Sequence, residues 1–206
     1  MHNAPFRWDE SLCDSPLTEE GIQQSAEASQ VAHTLDVQKV FVSPFRRALQ
    51  TCDILFKNHP NSPEIIVHPV LSECLHNGHD VSVYEGNPFP EYSHFNWSLV
   101  PNTHHIALEV CKNQHTLPLQ SCSFSEARQH ILHTMKELNP EYIESIHELY
   151  ERAQHSKLAW KKELEHCSIA LVTHSTFIKY FTAKHQAHGY SDYWWLENCE
   201  IREYHF

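Results

Sequence analysis

The sequence predicts an α/β domain, a three-layer α/β/α arrangement with a mainly parallel central sheet. Short apolar stretches of strand length alternate with longer stretches of helical period, the pattern of parallel sheets with crossover helices. Two strand candidates run directly into helix starts, at Val42-Ser43-Pro44 and at Val172-Thr173-His174-Ser175. A length of 206 residues, 41% hydrophobic and 20% charged, suits one domain with a sizeable core.

Taken in order, the residues before Thr18 are polar and irregular. Thr18 then reads as the N-cap of a helix. Glu19 and Glu20 suit its positive end, and Ile22, Ala26, Ser29 and Ala32 make a small-residue face. Lys39-Val40-Phe41-Val42 is a short buried strand. Ser43-Pro44 follows as an N-cap with proline in the first helical position. The helix it opens carries Phe45, Ala48, Leu49, Cys52, Leu55 and Phe56 on one face. A break from Asn58 to Pro63 leads to a second strand, Glu64 to His68.

Residues from about 74 to 123 hold several glycines and prolines and no sustained period; they read as a loop-rich insertion within a single domain spanning 1–206. Ser125 can cap a helix running to Leu138, which Asn139-Pro140 ends. A further helix turns Ile143, Ile146, Leu149, Tyr150 and Ala153 inward. Ser168 to Thr173 is the most strand-like stretch of the chain. From His174 to Ala183 the pattern turns helical, with Phe177, Ile178 and Phe181 apolar, and Cys199 to Phe206 reads as a final strand.

Composition narrows the function. A formal net charge of −11 argues against nucleic acid and against an anionic membrane surface as partners. No apolar run is long enough to span a bilayer, and the N-terminus lacks the basic and apolar regions of a secretory signal. The seven cysteines form no CxxC pair, which fits free thiols in a reducing cytoplasm. The nineteen histidines are scattered, without HExxH or a Cys/His ligand spacing, so the set reads as mostly solvated rather than as a metal site.

In an open α/β sheet, sites form at the carboxyl ends of strands. After the first strand, Arg46 and Arg47 fall in the first turn of a helix, whose unpaired N–H groups already favour an anion. A guanidinium there adds a rigid fork for phosphate oxygens; a solvated surface arginine is the alternative. After the last apolar strand, His174 can bond a phosphoryl oxygen or move a proton, or simply sit satisfied at a strand end. Glu73, after Val70-Leu71-Ser72, could protonate a leaving oxygen, although an exposed Glu after a strand is commonplace.

Together these stretches resemble a known family. Asp14-Ser15-Pro16-Leu17-Thr18-Glu19-Glu20-Gly21-Ile22-Gln23-Gln24 resembles the D-x-P-L-T-x-x-G-x-Q-Q element of the histidine phosphatase (phosphoglycerate-mutase-like) superfamily. Ser43 to Thr51 resembles its S-P-x-x-R-x-x-Q-T, Val172-Thr173-His174-Ser175 its V-[ST]-H-[GS], and Leu71-Ser72-Glu73 its L-x-E. Phe89-Pro90-Glu91 with Phe95 to Leu99, and Glu197 to Arg202, resemble segments of the plant, fungal and protist branch. That branch often has Cys-Asp-x-Arg after its Glu; here His79-Asp80-Val81-Ser82 stands without the arginine.

The resemblance implies a reaction through a phosphohistidine on a small phosphorylated substrate, without a cofactor or metal. It implies that Arg47 and His174 grip the phosphoryl group, that Glu73 donates the proton, and that Asn3 lies at the substrate rim. The family also has an apolar strand ending in R-H-G, which supplies the nucleophilic histidine and a first arginine. Asn3 matches an Asn that follows this motif, so the R-H-G strand, central in the family's sheet, is expected ahead of Met1. The chain as given is then expected to be inactive and to lack its first, central strand. Two readings follow: a phosphomonoesterase, favoured over a mutase because the insertion carries few Arg or Lys, or a catalytically dead homologue binding a phosphorylated ligand or protein partner. A His-rich metal-binding protein is the remaining option.

Overall fold

Strand β1 (Lys39–Val42) lies between β2 (Glu64–Val67) and β3 (Ile169–Val172), and both pairings are parallel. The structure, a computed structural model, describes residues 14–74, 80, 89–100, 144–164, 167–186 and 189–205. The register aligns Val42 with Val67 on one side and Val172 on the other, so the carboxyl ends of all three strands lie level. The ladder continues one step further, with Ser43 N donating to Val172 O (3.0 Å) and His68 N to Val42 O (2.8 Å).

Strand alternation divides the core into two layers. On one face, Val40, Val42, Ile65, Val67 and Val172 pack with Ala32 of α1 (Glu19–Ala32) and with α2 (Arg46–Phe56). On the other, Phe41 and Ile66 pack with Leu149, Ala153 and Trp160 of α3 (Ile146–Leu164) and Phe177, Tyr180 and Phe181 of α4 (Ser175–Thr182). Phe41 stacks on Trp160, with ring centroids 5.1 Å apart. Helices on both faces of a parallel sheet give the three-layer α/β arrangement.

Helix α1 starts as expected: Thr18 Oγ1 accepts from Gly21 N at 3.1 Å. Its buried face is shifted from the expected one. Ile22 is 45% exposed, whereas Ser25 and Ala32 are buried and Ala28 packs on the core. Close approach to α2 selects small side chains here over the larger Ile22. A β-carbon on Gly21 would meet Leu17 Cδ2 at 3.2 Å. Ser25 fits because its hydroxyl folds back onto Gly21 O (2.7 Å).

Helix α2 buries the predicted face, with Ala48, Leu49, Cys52, Leu55 and Phe56 all inward. Its start differs. The N-cap position is Phe45, not Ser43, and Pro44 precedes the helix. The capping acceptor comes from a remote segment, Asp14, whose Oδ1 accepts from Arg46 N at 2.8 Å.

In α3, Leu149 and Ala153 are buried and Tyr150 packs against the core, but Ile146 is 50% exposed in the first turn. Ile143 and the helix expected from Ser125 to Leu138 fall outside the described residues, as does most of the insertion. Within the insertion, Phe89, Tyr92, Phe95 and Val100 are buried in the α1/α2-side core, around a 3-10 turn at Pro90–Tyr92. Asn96 makes one parallel bridge to Ile66 beyond β2.

The expected final strand is absent over 199–205, within the described residues. Ile201, Arg202, Glu203 and His205 are exposed, so the segment has no continuous apolar face to bury against a sheet. Tyr204 anchors it, taking a hydrogen bond from Lys157 Nζ and packing on Phe181 and Trp194, and Cys199 Sγ meets Ser25 Oγ at 3.4 Å. Two strands that the sequence reading missed, β4 (Lys184–Gln186) and β5 (Gly189–Ser191), form a short antiparallel hairpin. No helix among the described residues is long and apolar enough to cross a membrane.

Candidate active site

Level strand ends bring three segments to one edge of the sheet: the β1–α2 junction, the β3–α4 junction and the loop after β2. His174 is the N-cap residue of α4 and is 7% exposed. Its Nε2 lies 2.8 Å from Ser43 Oγ, a fully buried hydroxyl at the end of β1. The edge of its ring meets Phe45, with centroids 5.2 Å apart. On Phe45 sits Arg47, its guanidinium carbon 4.7 Å from the ring centroid. Phe45 thus spaces the imidazole from the guanidinium. Arg46 turns elsewhere, over Phe89 at 5.6 Å. Arg47 also meets Asp80, with 3.5 Å between Nη2 and Oδ1.

The loop carrying Glu73 is held by its backbone. Three successive carbonyls are tied by side chains from the β3–α4 junction and from α3. Arg152 Nη1 donates to Val70 O (2.6 Å) and to Ser72 O (3.0 Å). Thr173 Oγ1, at the end of β3, donates to Leu71 O (2.7 Å). Arg152 is itself fixed by a two-point pairing with Glu144, at 2.8 Å from Nε and 2.7 Å from Nη2. The Glu73 carboxylate accepts from Cys74 N at 2.8 Å and from the Thr176 hydroxyl in the first turn of α4.

Electrostatics separate the groups. Burial holds the His174 pKa well below the usual imidazole range, and the Arg47 and Arg152 cations push the same way, so the ring is neutral at pH 7. Burial raises the Glu73 pKa, with the Asp80 charge adding to it, against the opposing pull of its hydrogen bonds and of Arg47. A carboxyl group with a raised pKa keeps its proton to higher pH, which suits an acid. Burial, aided by Glu144 and Glu73, pushes the neighbouring Cys74 thiol up to about 12, too high for a thiolate nucleophile near neutral pH.

A second layer fixes the β1–α2 junction. Asp14, at φ 47°, caps α2, and Leu17 N donates to Gln50 Oε1 at 2.6 Å. The two motifs that flank this junction in sequence are therefore one physical unit, the first closing the start of the helix that the second forms. Burial pushes the Asp14 carboxyl up to about 6, against the lowering effects of the Arg46 N–H, Arg47 and Arg46.

Arg47, Glu73 and His174 thus reach the same edge, whereas Asn3 lies outside the described residues. Sequence reasoning missed Ser43, Arg152, Thr173, Thr176 and Asp14 as groups that hold the site. Thr173 stood in a recognised motif and could have been marked; Arg152 gave no signal beyond being a charged residue on a helix. Among the described residues, no group of three or more His, Cys, Asp or Glu could hold a metal ion.

The family model for the histidine phosphatase superfamily (branch 1) matches residues 7–98. A fructose-2,6-bisphosphatase TIGAR B from Danio rerio is 38% identical over 77 residues, which are 36% of this chain and 28% of the relative, so the match spans well under half of that protein. Among solved structures, a phosphoglycerate mutase from Bacillus anthracis str. Sterne aligns with a TM-score of 0.47 and 16% identity, covering 81% of this chain and 67% of that one. The ecdysone phosphate phosphatase of Bombix mori, solved with tungstate, aligns with a TM-score of 0.41 and 14% identity over 84% of this chain and 57% of that one. Over residues 7–98 the chain is therefore similar to the histidine phosphatase superfamily, and the motifs that carry this likeness meet at this sheet edge.

Proposed function

We propose that Arg47, Glu73 and His174 form one half of a phosphomonoesterase site that acts on a small phosphorylated molecule through a phosphohistidine. The observation that carries this reading is their convergence, with His174 neutral and Glu73 shifted toward its acid form. The curated zebrafish relative is named for fructose-2,6-bisphosphate, a small molecule of this kind.

In the proposed reaction an imidazole nitrogen attacks phosphorus, the ester P–O bond breaks, and Glu73 gives its proton to the leaving oxygen. Water then attacks phosphorus, the P–N bond breaks, and Glu73 takes up a proton from the water. Throughout, the Arg47 guanidinium and the His174 N–H bond the non-bridging oxygens, where charge is spread in the transition state.

The nucleophile is not assigned to any histidine of this chain. No Arg-His-Gly occurs in the 206 residues, and His174 is the phosphoryl-holding group rather than the attacking one. The same observation favours a second reading, a homologue that binds a phosphorylated ligand without turning it over. The chain as given is expected to show no hydrolysis of a generic aryl phosphate above background. Clear turnover that disappears in His174→Ala would overturn the assignment of roles. Between the two readings, the upstream nucleotide sequence decides: an in-frame strand ending in Arg-His-Gly supports the enzyme, and a stop codon close upstream supports the binding-only homologue.

A further inference from the structure

The structure assigns Ser43 a positioning role: its hydroxyl donates to His174 Nε2, which fixes the ring tautomer and leaves Nδ1–H as the donor that meets a phosphoryl oxygen. Sequence alone reads Ser43 as a helix cap. In the folded chain α2 is capped by Asp14 instead, and the Ser43 side chain is free for another partner. That partner is His174, 131 residues away, at 2.8 Å.

The direction of the bond follows from counting protons. A neutral imidazole has one donor and one acceptor nitrogen. Ser43 Oγ has two polar neighbours among the described residues, the Phe45 N–H at 3.4 Å and His174 Nε2. Phe45 can only donate. If Nε2 also carried a proton, the hydroxyl would receive two hydrogen bonds and its own proton would have no acceptor in a fully buried place. A buried donor left unmade is costly. With the proton placed between Oγ and a bare Nε2, all three groups are satisfied. The other nitrogen, Nδ1, must then carry the hydrogen.

Tautomer decides function here because a phosphoryl oxygen only accepts. A neutral histidine that presented a bare nitrogen would repel it. Ring position is fixed as well: the carbonyl of Val172 holds Ser43 N at 3.0 Å, so the hydroxyl is tied to the sheet ladder, and Phe45 closes the side of the ring. Ser43 does not touch the substrate and acts through His174.

This inference rests on the proposed function for its consequence, phosphate binding, but not for the tautomer itself. The test is long-range proton–nitrogen NMR on the chain labelled with 15N-histidine, run with and without inorganic phosphate. Wild type is expected to show His174 with Nδ1 protonated and Nε2 bare. Ser43→Ala is expected to move His174 toward the Nε2–H tautomer and to weaken phosphate about tenfold, the size of one lost hydrogen bond. Ser43→Thr, which keeps the hydroxyl, is expected to restore both. A wild-type ring protonated on Nε2 would overturn the assignment, even if neither variant folds. So would a Ser43→Ala ring with an unchanged tautomer. If the tautomers behave as expected and phosphate does not bind, the positioning of the ring stands and the phosphatase reading fails; if phosphate binds through Arg47 and the tautomer ignores Ser43, the reverse holds.

Discussion

The two strand–helix junctions of the site look alike in sequence and are built differently. Both helices begin without a capping side chain on their own N-cap residue, Phe45 for α2 and His174 for α4. At β1–α2 the deficit is met from outside, by the Asp14 carboxylate on Arg46 N. At β3–α4 the N-cap side chain, His174, makes no capping hydrogen bond, and the Thr176 hydroxyl in the first turn bonds the Glu73 carboxyl. The first junction is closed by protein and presents a guanidinium. The second presents an imidazole, and its helix reaches the Glu73 carboxyl through Thr176. A phosphoryl anion lying between them would meet a side-chain cation from one side and helix-start donors from the other.

The sharpest way to break this contrast is to remove the clamp on the Glu73 loop, which the second junction meets. Arg152→Met would strand the Val70 and Ser72 carbonyls and leave Glu144 without its partner. The expected loss is about 3 kcal/mol, the range seen when one member of a largely buried, hydrogen-bonded pair is deleted. Urea unfolding measures it, and a loss under about 1 kcal/mol would mean that the loop is held by other contacts.

The first junction is tested through pH. Asp14 titrates near 6 in the folded chain against 3.8 for the free group, so folding favours the protonated form. That contribution is complete below pH 3.8 and is lost as pH rises through 6. Asn at this position keeps an acceptor for the Arg46 N–H and tolerates a positive φ. Asp14→Asn is therefore expected to be more stable than wild type at pH 7.5, by on the order of 2 kcal/mol, and to show no advantage near pH 3.5. An equal difference at both pH values would contradict the buried-acid account.

His174 gives the opposite slope. Its folded pKa is depressed, so its contribution is complete above about 6.5 and is lost as pH falls below that value. Replacing it with Asn should flatten the acid side of the stability curve between pH 6.5 and 5. Comparing thermal midpoints of the two proteins over that range reads the effect directly.

The smallest effect concerns the start of α1. Gly21→Ala would gain helix propensity but push Leu17, 3.2 Å from the new β-carbon, by a few tenths of an ångström. The two terms oppose, and a net change within about 0.5 kcal/mol is expected. A loss above about 2 kcal/mol would show that the Leu17 turn is more rigid than its contacts indicate.

What the sequence made legible is what contiguous residues encode. Thr18 capping α1, the apolar face of α2, and the placement of Arg47 and His174 after strands all follow from local order. Contacts across the chain left no such trace. Asp14 is 32 residues from the helix it caps, and Arg152 is 82 residues from the carbonyl of Val70; a hydrogen bond between such points imposes no period on either segment. The shifted face of α1 has a related cause. Hydrophobicity points to Ile22, but close packing against α2 is decided by side-chain size, which favours Ser25, Ala28 and Ala32. The C-terminal segment failed for another reason: its apolar residues change phase at Arg202-Glu203, so neither face of a strand would be continuously apolar.

The central claim is that this sheet edge binds a phosphoryl anion through Arg47 and His174. Titrating inorganic phosphate into the chain at pH 7.5, followed by calorimetry, tests it directly, with Arg47→Met as the comparison. Saturable binding is expected for wild type, weakened at least tenfold, or about 1.4 kcal/mol, in the variant. Equal affinity in the two proteins, or no binding by a folded wild-type chain, would contradict the account.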